Sequence, residues 1–371
     1  MTRVAVSGGS IAGLGAGVAL NRAGIEVDVF ERDGGPLRST GAGLVVQPEL
    51  LALVQGGGSR LPMTHCSGRR YLGYDGQVGP LQRTPQQFTS WDAVHTTLLR
   101  EFPAERYHGG KTISGVTRRA DGGLTIAMGD AGEVKADILV AADGAQSSTR
   151  RLIYPGIEPD YAGYVAWRGT LLERDMKPQV IAAFDDVFSF SEARSGGHAL
   201  AYFIPGNDLA TDVGHRRMNW VWYVGANPQE RDALLVTRDG YQRRASLNRG
   251  MARDDEIAEL GRRAARELHP MFARLIEATA DPFLPTIVDL GVPRTVFDRT
   301  VLIGDAAFVV RPHTAGGAAK AARDALAIAR ALANERVGID VALASFEREQ
   351  LAYGRELLRY GIQLGQQWAR L

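Results

Sequence analysis

Residues 4–20, VAVSGGSIAGLGAGVAL, leave this chain few folds to choose from. A short apolar strand runs into Gly8-x-Ser10-x-x-Gly13, and a helix of small residues follows. Gly24 ends that helix, and EVDVFER forms a second strand closing on Glu31. Strand, glycine turn, helix and strand within about 30 residues make a βαβ unit. In such a turn the first glycine permits the tight bend. The second lets a pyrophosphate approach the helix N-terminus, and the third lets helix and strand pack closely. Gly8 and Gly13 hold the first and third places. Ser10 stands in the second, small and carrying a hydroxyl of its own. Glu31 lies where an acidic side chain accepts ribose hydroxyls. Gly8, Ser10, Ile11, Ala12, Gly13 and Glu31 are therefore expected to hold a dinucleotide, the competing reading being a glycine turn in an unrelated α/β protein.

The rest of the chain supplies the partners this unit needs. DILVAADG (137–144) and TVLIGDAA (300–307) are further apolar strands that end in turns. Between them, from about residue 184 to 224, the pattern becomes alternating, and HALAYFI and NWVWYV read as antiparallel strands with aromatic faces. A polar helix follows at 253–272, and the last 30 or so residues are helical and amphipathic. The expected fold is α/β: a Rossmann-like βαβ domain, an interleaved and mostly antiparallel sheet, and a C-terminal helix. The length of 371 residues fits two domains or one large unit with insertions, and 44 glycines suit many tight turns.

Composition removes several functions. With 43 basic and 42 acidic residues the net charge is +1, which gives no reason to invoke nucleic acid or an anionic membrane. No apolar run is long enough to span a bilayer. Metal-ligand spacings, GxSxG and a P-loop lysine are absent from the sequence, so no metal is expected. Cys66 is the only cysteine, and the chain enters a strand at once; both fit a cytoplasmic protein without a disulfide.

Two distant stretches narrow the dinucleotide. ILVAADGAQSSTRRLI sets Asp143-Gly144 after a strand, and TVLIGDAAFVVRPHTAGGAAKAARDALAIARAL sets Gly304-Asp305 after another, then Pro312, Gly316-Gly317 and Asp324-Ala325. Together with the opening loop, in this order, they resemble the flavin-dependent aromatic hydroxylases of the p-hydroxybenzoate hydroxylase type. GAGLVVQPEL, FTSWDAVHTTL, ERYH, YAGYVAWRG and YFIPG carry the similarity on to its pyridine-hydroxylating subgroup, which also tolerates the serine.

The resemblance implies FAD as cofactor, NAD(P)H as co-substrate, and O2 used through a flavin C4a-hydroperoxide to hydroxylate a hydroxylated (hetero)aromatic ring such as a dihydroxypyridine. It implies an FAD-binding domain of residues 1–72, 90–170 and 286–335, a substrate domain of 73–89 and 171–285, a C-terminal helical segment of 336–371, and a homodimer. Carried over, Asp143 and Gly144 meet FAD and NAD(P)H, and Asp305 binds ribose or ribityl hydroxyls. Pro312 lies near the flavin ring, the amides of Gly316, Gly317 and Ala318 lie near its N1/O2 edge, and Gly43 and Val45 belong to the same shell. Two departures stand out. Trp91 replaces an arginine that contacts the cofactor in many members, leaving Arg32 or Arg100 to supply that charge, and Phe308 replaces a histidine.

Such a reaction needs a group that removes a proton from the ring hydroxyl. On HALAYFI, His198, Leu200, Tyr202 and Ile204 share one face, and on NWVWYV, Trp220 and Trp222 share a face with Tyr223 on the other. The resemblance puts substrate against these strands, making Tyr202, Trp220, Trp222 and Tyr223 its contacts, with Gln47 and Pro312 nearby. His198 and His313 compete as proton acceptor, with Tyr202 a third catalytic candidate. For each, plain core packing is the alternative. Two rival functions remain at this stage: a related flavin oxygenase acting on a polyketide- or indole-like natural product, and a flavin-binding protein without turnover.

Overall fold

Strands buried on both faces read as continuous apolar runs, and parallel sheets are built from them. Val4, Val6, Val27, Val29, Ile138 and Val140 are all fully buried. In the computed structural model, which describes residues 2–35, 37, 43–129, 132–334 and 336–369, the strand Arg3–Ser7 pairs in parallel with both Glu26–Glu31 and Ile138–Ala141. Tyr107–Gly109 continues this sheet on one side, Thr300–Leu302 on the other, and Val296–Phe297 adds an antiparallel edge. The chain thus leaves Arg3–Ser7 toward one neighbour and returns on its other side. That is the switch point at which open α/β sheets leave a ligand crevice.

The helix Ile11–Arg22 is buried from Ile11 through Leu20. Its small residues let it lie close: a Cβ at Gly15 would stand 2.7 Å from Leu53 Cδ2 and 3.6 Å from Ala325 Cβ. Ala325 belongs to the late helix Gly317–Leu332, so the first and last parts of the described nucleotide fold pack directly together.

The second sheet joins Leu284–Gly291, Asp160–Leu172, Arg217–Gly225, His198–Ile204, Val187–Glu192 and Gly68–Tyr71 in that order, antiparallel except at its last pair. It takes in strands on both sides of residues 171–285, while Gln86–Ser90 joins a separate small sheet with Gly43–Val45 and Thr64–Cys66. One face of the large sheet is covered by the helices Asp254–Glu267 and Pro270–Glu277 through Trp220, Trp222, Ala264 and Phe272. The other face meets the small sheet, which is tied down by Thr64 Oγ1 donating to Phe203 O (2.6 Å) and Gly43 N donating to Asn219 Oδ1 (3.0 Å).

The helix Ile339–Ala369 closes the structure. Its glycines make room for two side chains near the crevice: a Cβ at Gly354 would fall 2.5 Å from the Phe308 ring, and one at Gly365 2.5 Å from an Arg311 guanidinium nitrogen. Among the described residues no helix is long and apolar enough to cross a membrane.

Candidate active site

Three turns meet at the carboxyl ends of the parallel strands. Gly8 adopts φ +102°, and a Cβ there would lie 2.5 Å from Ala142 O, so only glycine lets the first turn rest on the one leading into Asp143. A Cβ at Gly13 would stand 1.9 Å from Gly8 O, which enforces the close helix–strand contact expected of the third glycine. Ser10 is the N-cap residue of the helix, yet its side chain caps nothing and the first turn holds no acid. The N–H groups beginning at Ile11 and Ala12 are thus left for an anion.

Glu31 is buried; its Oε2 accepts from Gly9 N (2.6 Å) and its Oε1 from Asp33 N (3.0 Å). Arg32 is exposed beside it. A further side chain outside the expected set grips this loop, with Trp91 behind it. His95 Nε2 hydrogen-bonds Gly9 O at 3.0 Å, with Trp91 stacked on its ring at 4.6 Å. Burial lowers the His95 pKa, so the ring is neutral.

The Asp143 carboxylate accepts from Ser147 Oγ, Ser148 Oγ, Thr149 N and Thr149 Oγ1, so its side chain is spent holding the turn and the helix Ser148–Ile153. Gly144 takes φ +80°. Arg150, fully buried, ties this turn to the next by donating to Ala145 O and Ala306 O. At the Gly304-Asp305 turn, a Cβ on Gly304 would sit 2.6 Å from Ala12 Cβ. The turn is held from below by Lys320, which donates to Gly304 O (3.0 Å) and Asp324 (2.7 Å), while Asp324 accepts from Gly304 N (2.9 Å). Asp305 is solvent-accessible but ringed by enough protein that poor hydration pushes its carboxyl pKa up; Lys320 opposes this and Asp324 adds to it.

Pro312 opens a short turn that ends at Ala315 in the left-handed region (φ 51°), an uncommon conformation for a residue with a Cβ. Gln47 Nε2 donates to Ala315 O at 2.7 Å. Gly316 then caps the helix Gly317–Leu332 without a side-chain bond or a first-turn acid, so the N–H groups of Gly317 and Ala318 have no acceptor within the helix. These features fit a flavin dinucleotide: two uncapped helix N-termini, backbone cradles that a Cβ would fill, and acids at Glu31 and Asp305. Gly43 and Val45 lie farther along, and Gly43 packs on Tyr202 and Asn219.

Cross-strand partners in a sheet share a face. His198 pairs with Tyr223, Leu200 with Val221 and Tyr202 with Asn219, so these residues face the small sheet and the crevice. Ala199 and Ala201 pair with Trp222 and Trp220, which places both tryptophans on the opposite face. There Trp220 Nε1 donates to Thr279 Oγ1 (2.8 Å) and Trp222 is fully buried against the helices. The expectation that Trp220 and Trp222 line the substrate is thereby corrected: alternation groups residues, and only the register says which group faces which layer.

On the crevice side four rings converge. His198 lies 4.9 Å from Tyr223 and 5.4 Å from His313, and His313 lies 4.5 Å from Tyr223 (centroid distances). The Tyr164 hydroxyl and His313 Nε2 share a hydrogen bond of 2.9 Å. Tyr164, on YAGYVAWRG, escaped the sequence reading, although its alternation was legible. These rings line a cavity of about 120 Å³ that Gly365 of the last helix also borders. A larger cavity of about 370 Å³, lined by Arg60, Met63, His65 and Leu209, contains none of them.

Burial, then His313, drives the His198 pKa down to about 3; burial, then Arg311, drives that of His313 down to about 4. Both are neutral imidazoles, able to accept a proton. Arg311 is itself held by Asp289 in a two-pronged pair at 2.9 and 2.7 Å. Tyr202 is removed from this cluster, stacked on Phe88 at 4.1 Å, and burial raises its phenol pKa.

Comparison with known proteins agrees with this geometry. An FAD binding domain-like family model matches residues 161–289. The chain is 33% identical to the 2,6-dihydroxypyridine 3-monooxygenase of Paenarthrobacter nicotinovorans, over 96% of this chain and 89% of that protein. It is 26% identical to the 6-hydroxynicotinate 3-monooxygenase of Pseudomonas fluorescens, over 89% and 82%. Among solved structures, 2,6-dihydroxypyridine-3-hydroxylase from Arthrobacter nicotinovorans superposes with a TM-score of 0.93 at 32% identity, covering 99% of this chain and 93% of that one. Klebsiella pneumoniae HpxO complexed with FAD and uric acid shares the fold at a TM-score of 0.77 and 22% identity, covering 100% and 92%.

Proposed function

Since this chain belongs to the FAD-dependent aromatic monooxygenases, we propose that its substrate is a hydroxylated pyridine, with a dihydroxypyridine as the first compound to test. The observation that carries this reading is the meeting of His198, Tyr164 and Tyr223, on one face of the large sheet, with His313, which the turn beginning at Pro312 brings against them. An electron-rich ring seated there has flat aromatic walls and neutral proton acceptors within reach. The similarity to a dihydroxypyridine monooxygenase along nearly the whole chain supports the same choice of ring.

FAD, when bound, supplies electrons drawn from NAD(P)H and activates O2. The protein's contribution is position, charge and dryness. The free N–H groups at Gly317 and Ala318, and the dipole of their helix, favour negative charge at the flavin edge by about 0.3–2 kcal/mol. Gln47 fixes the Ala315 carbonyl, and with it the approach to those groups. His313 or His198 accepts a hydrogen bond from the ring hydroxyl and takes its proton only as attack on the ring makes that hydroxyl strongly acidic, and the Tyr164 hydroxyl orients His313 through their shared hydrogen bond. The last helix, folded over Phe308 and Arg311, borders the cavity through Gly365 and narrows its access to solvent. The dimer implied by the resemblance, and a cytoplasmic location, belong to the same proposal.

The test is a screen of mono- and dihydroxylated pyridines and benzenes with the FAD-loaded protein. NAD(P)H consumption is followed together with mass spectrometry of the product. A dihydroxypyridine should stimulate consumption most and gain one oxygen atom. Stimulation that yields only hydrogen peroxide with every pyridine would remove this substrate class. Light scattering of the purified protein checks the dimer.

A further inference from the structure

Arginine gathers at the other end of the same sheet face. Arg168 pairs across the strands with Val221, which puts it on the side of Tyr223 and Leu200. Its guanidinium and that of Arg249 lie 5.7 and 4.5 Å from the Phe283 ring centre. Arg217 lies close by: burial lowers the Arg249 pKa, and the charges of Arg217 and Arg168 push the same way against Asp281 and Asp92.

Two of the three cations are satisfied. Arg217 donates to Asp92 (2.9 Å) and to Pro205 O (2.9 Å), and Arg249 pairs with Asp281 at 3.6 Å. Arg168 has no carboxylate partner among the described residues, and its buried Nε has no acceptor. Asn219, fully buried on the neighbouring strand, spends its Oδ1 on Gly43 N, and its Nδ2 is likewise buried with no acceptor.

Orphaned buried donors cost a fold free energy, and native structures keep few of them. Here two stand on adjacent strands of one face, and neither atom can accept a hydrogen bond. A protein group with a spare lone pair would satisfy them, yet the described residues supply none. The charge of Arg168 acts on both Tyr202 and Tyr223, in keeping with its place on their side of the sheet. Leu200 and Val221 make an apolar floor from there to the histidine end, and Leu200 stays only half-buried in mid-sheet.

We propose that Arg168 and Asn219 form a donor-only subsite for an ionised oxygen on the substrate ring. The inference rests on the reading given under Proposed function and deepens it. A ring lying over Leu200 and Val221 presents one oxygen, as an anion, to Arg168 and Asn219. It presents a second, still protonated, to His198 and His313. The preferred substrates are therefore rings bearing oxygens at two separated positions, one of them acidic.

The test uses the FAD-loaded protein and 2-hydroxy-5-nitropyridine, whose absorbance reports its own ionisation. Titrated while bound to the wild type, the probe should ionise at least one pH unit below its free value. Arg168→Gln should abolish most of that displacement, a loss of about tenfold in preference for the anion. Arg168→Lys should retain part of it. Asn219→Asp keeps the acceptor for Gly43 while removing the donor, so it too should raise the bound pKa, and it carries the test if Arg168→Gln loses FAD. A residue that only supports the fold would weaken both forms of the probe alike and leave its bound pKa unchanged. An unchanged value in Arg168→Gln and Asn219→Asp overturns the subsite, as does a failure of the probe to bind at millimolar concentration. The outcome is separable from the substrate screen: pyridine hydroxylation with an unmoved probe pKa leaves the function standing and removes the subsite. A displaced pKa without hydroxylation does the reverse.

Discussion

The nucleotide turns and the substrate face of the large sheet are built on opposite principles. At the turns the backbone carries the information. Gly8, Gly13 and Gly304 are required because a Cβ would strike Ala142 O, Gly8 O or Ala12, and the anion-binding groups are peptide N–H groups that every residue owns. On the sheet the backbone makes fewer demands on the ligand-facing positions, although Gly169 must still be glycine because a Cβ there would stand 2.6 Å from the Trp220 ring. His198, Tyr223, Tyr164, Arg168 and Asn219 matter through their side chains, and the strand register decides that they face the crevice. A backbone-coded site tolerates almost no substitution, whereas a side-chain-coded site can change its ligand one residue at a time. One cofactor site can therefore serve enzymes that act on different rings.

The contrast is tested most strongly at Gly13. Gly13→Ala puts a methyl group 1.9 Å from Gly8 O, and the helix must move off the strand to admit it. FAD affinity should fall by at least about 100-fold, or roughly 3 kcal/mol, read by flavin fluorescence titration. Ser10→Gly, which restores the common pattern and removes no cap bond, should change affinity by only a few-fold. Equal effects from the two would mean that side chains, not backbone, hold this loop.

The next effect belongs to the sheet face. His313→Gln should slow ring hydroxylation by about 10²-fold, within the usual range for removing a general base, while FAD affinity stays put. The same histidines set an acid limit on stability. Their folded pKa values, about 3 for His198 and about 4 for His313, lie below the usual 6.5, so the unfolded chain takes up their protons first. Stability is then complete above about pH 6.5 and is lost as the pH falls toward 4 and 3. A melting-temperature series from pH 8 to 4 should show that decline in the wild type and a shallower one in His313→Gln.

How much was legible in the sequence follows the same division. The glycine turns, Glu31 and the Gly304-Asp305 motif were readable because backbone demands leave a residue signature at fixed spacing. The aromatic strands were readable as strands, and the shared face of His198 and Tyr202 follows from alternation alone. What alternation lacks is an absolute direction. Trp220 and Trp222 looked as suitable for substrate as Tyr223, and only the pairing of Ala199 with Trp222 sends them to the helix side. Tyr164 and Arg168 were hidden for a similar reason: their strand joins partners more than 50 residues away, at Arg217–Gly225.

That difference of face has its own test. Trp222→Phe trims a fully buried side chain but also deletes an indole N–H with no acceptor among the described residues. Its cost should be about 1–2 kcal/mol of stability, seen as a fall of a few degrees in melting temperature, with kcat/KM held within about twofold. Tyr223→Phe, one residue on and facing the crevice, should do the converse, slowing hydroxylation with little change in melting. If both variants lose activity in proportion to stability, the two faces are coupled and the side-chain code is less local than the register implies.

The smallest effect probes whether any side chain matters at the nucleotide turn. His95 Nε2 hydrogen-bonds Gly9 O, and because a peptide is planar and trans, holding that carbonyl aims the Ser10 N–H the opposite way. Trp91, stacked on the imidazole, keeps the ring in place without supplying any charge. His95→Ala leaves the carbonyl without its donor, a loss of about 1 kcal/mol, so FAD should bind roughly five-fold more weakly. His95→Gln, whose amide can still donate, should recover most of that. Since both the neutral ring and its protonated form can donate from Nε2, wild-type affinity owes no pH dependence between 5 and 8 to this contact. Should Ala and Gln at this position bind FAD alike, the glycines alone orient the loop, and the division between a backbone-coded cofactor site and a side-chain-coded substrate site is complete.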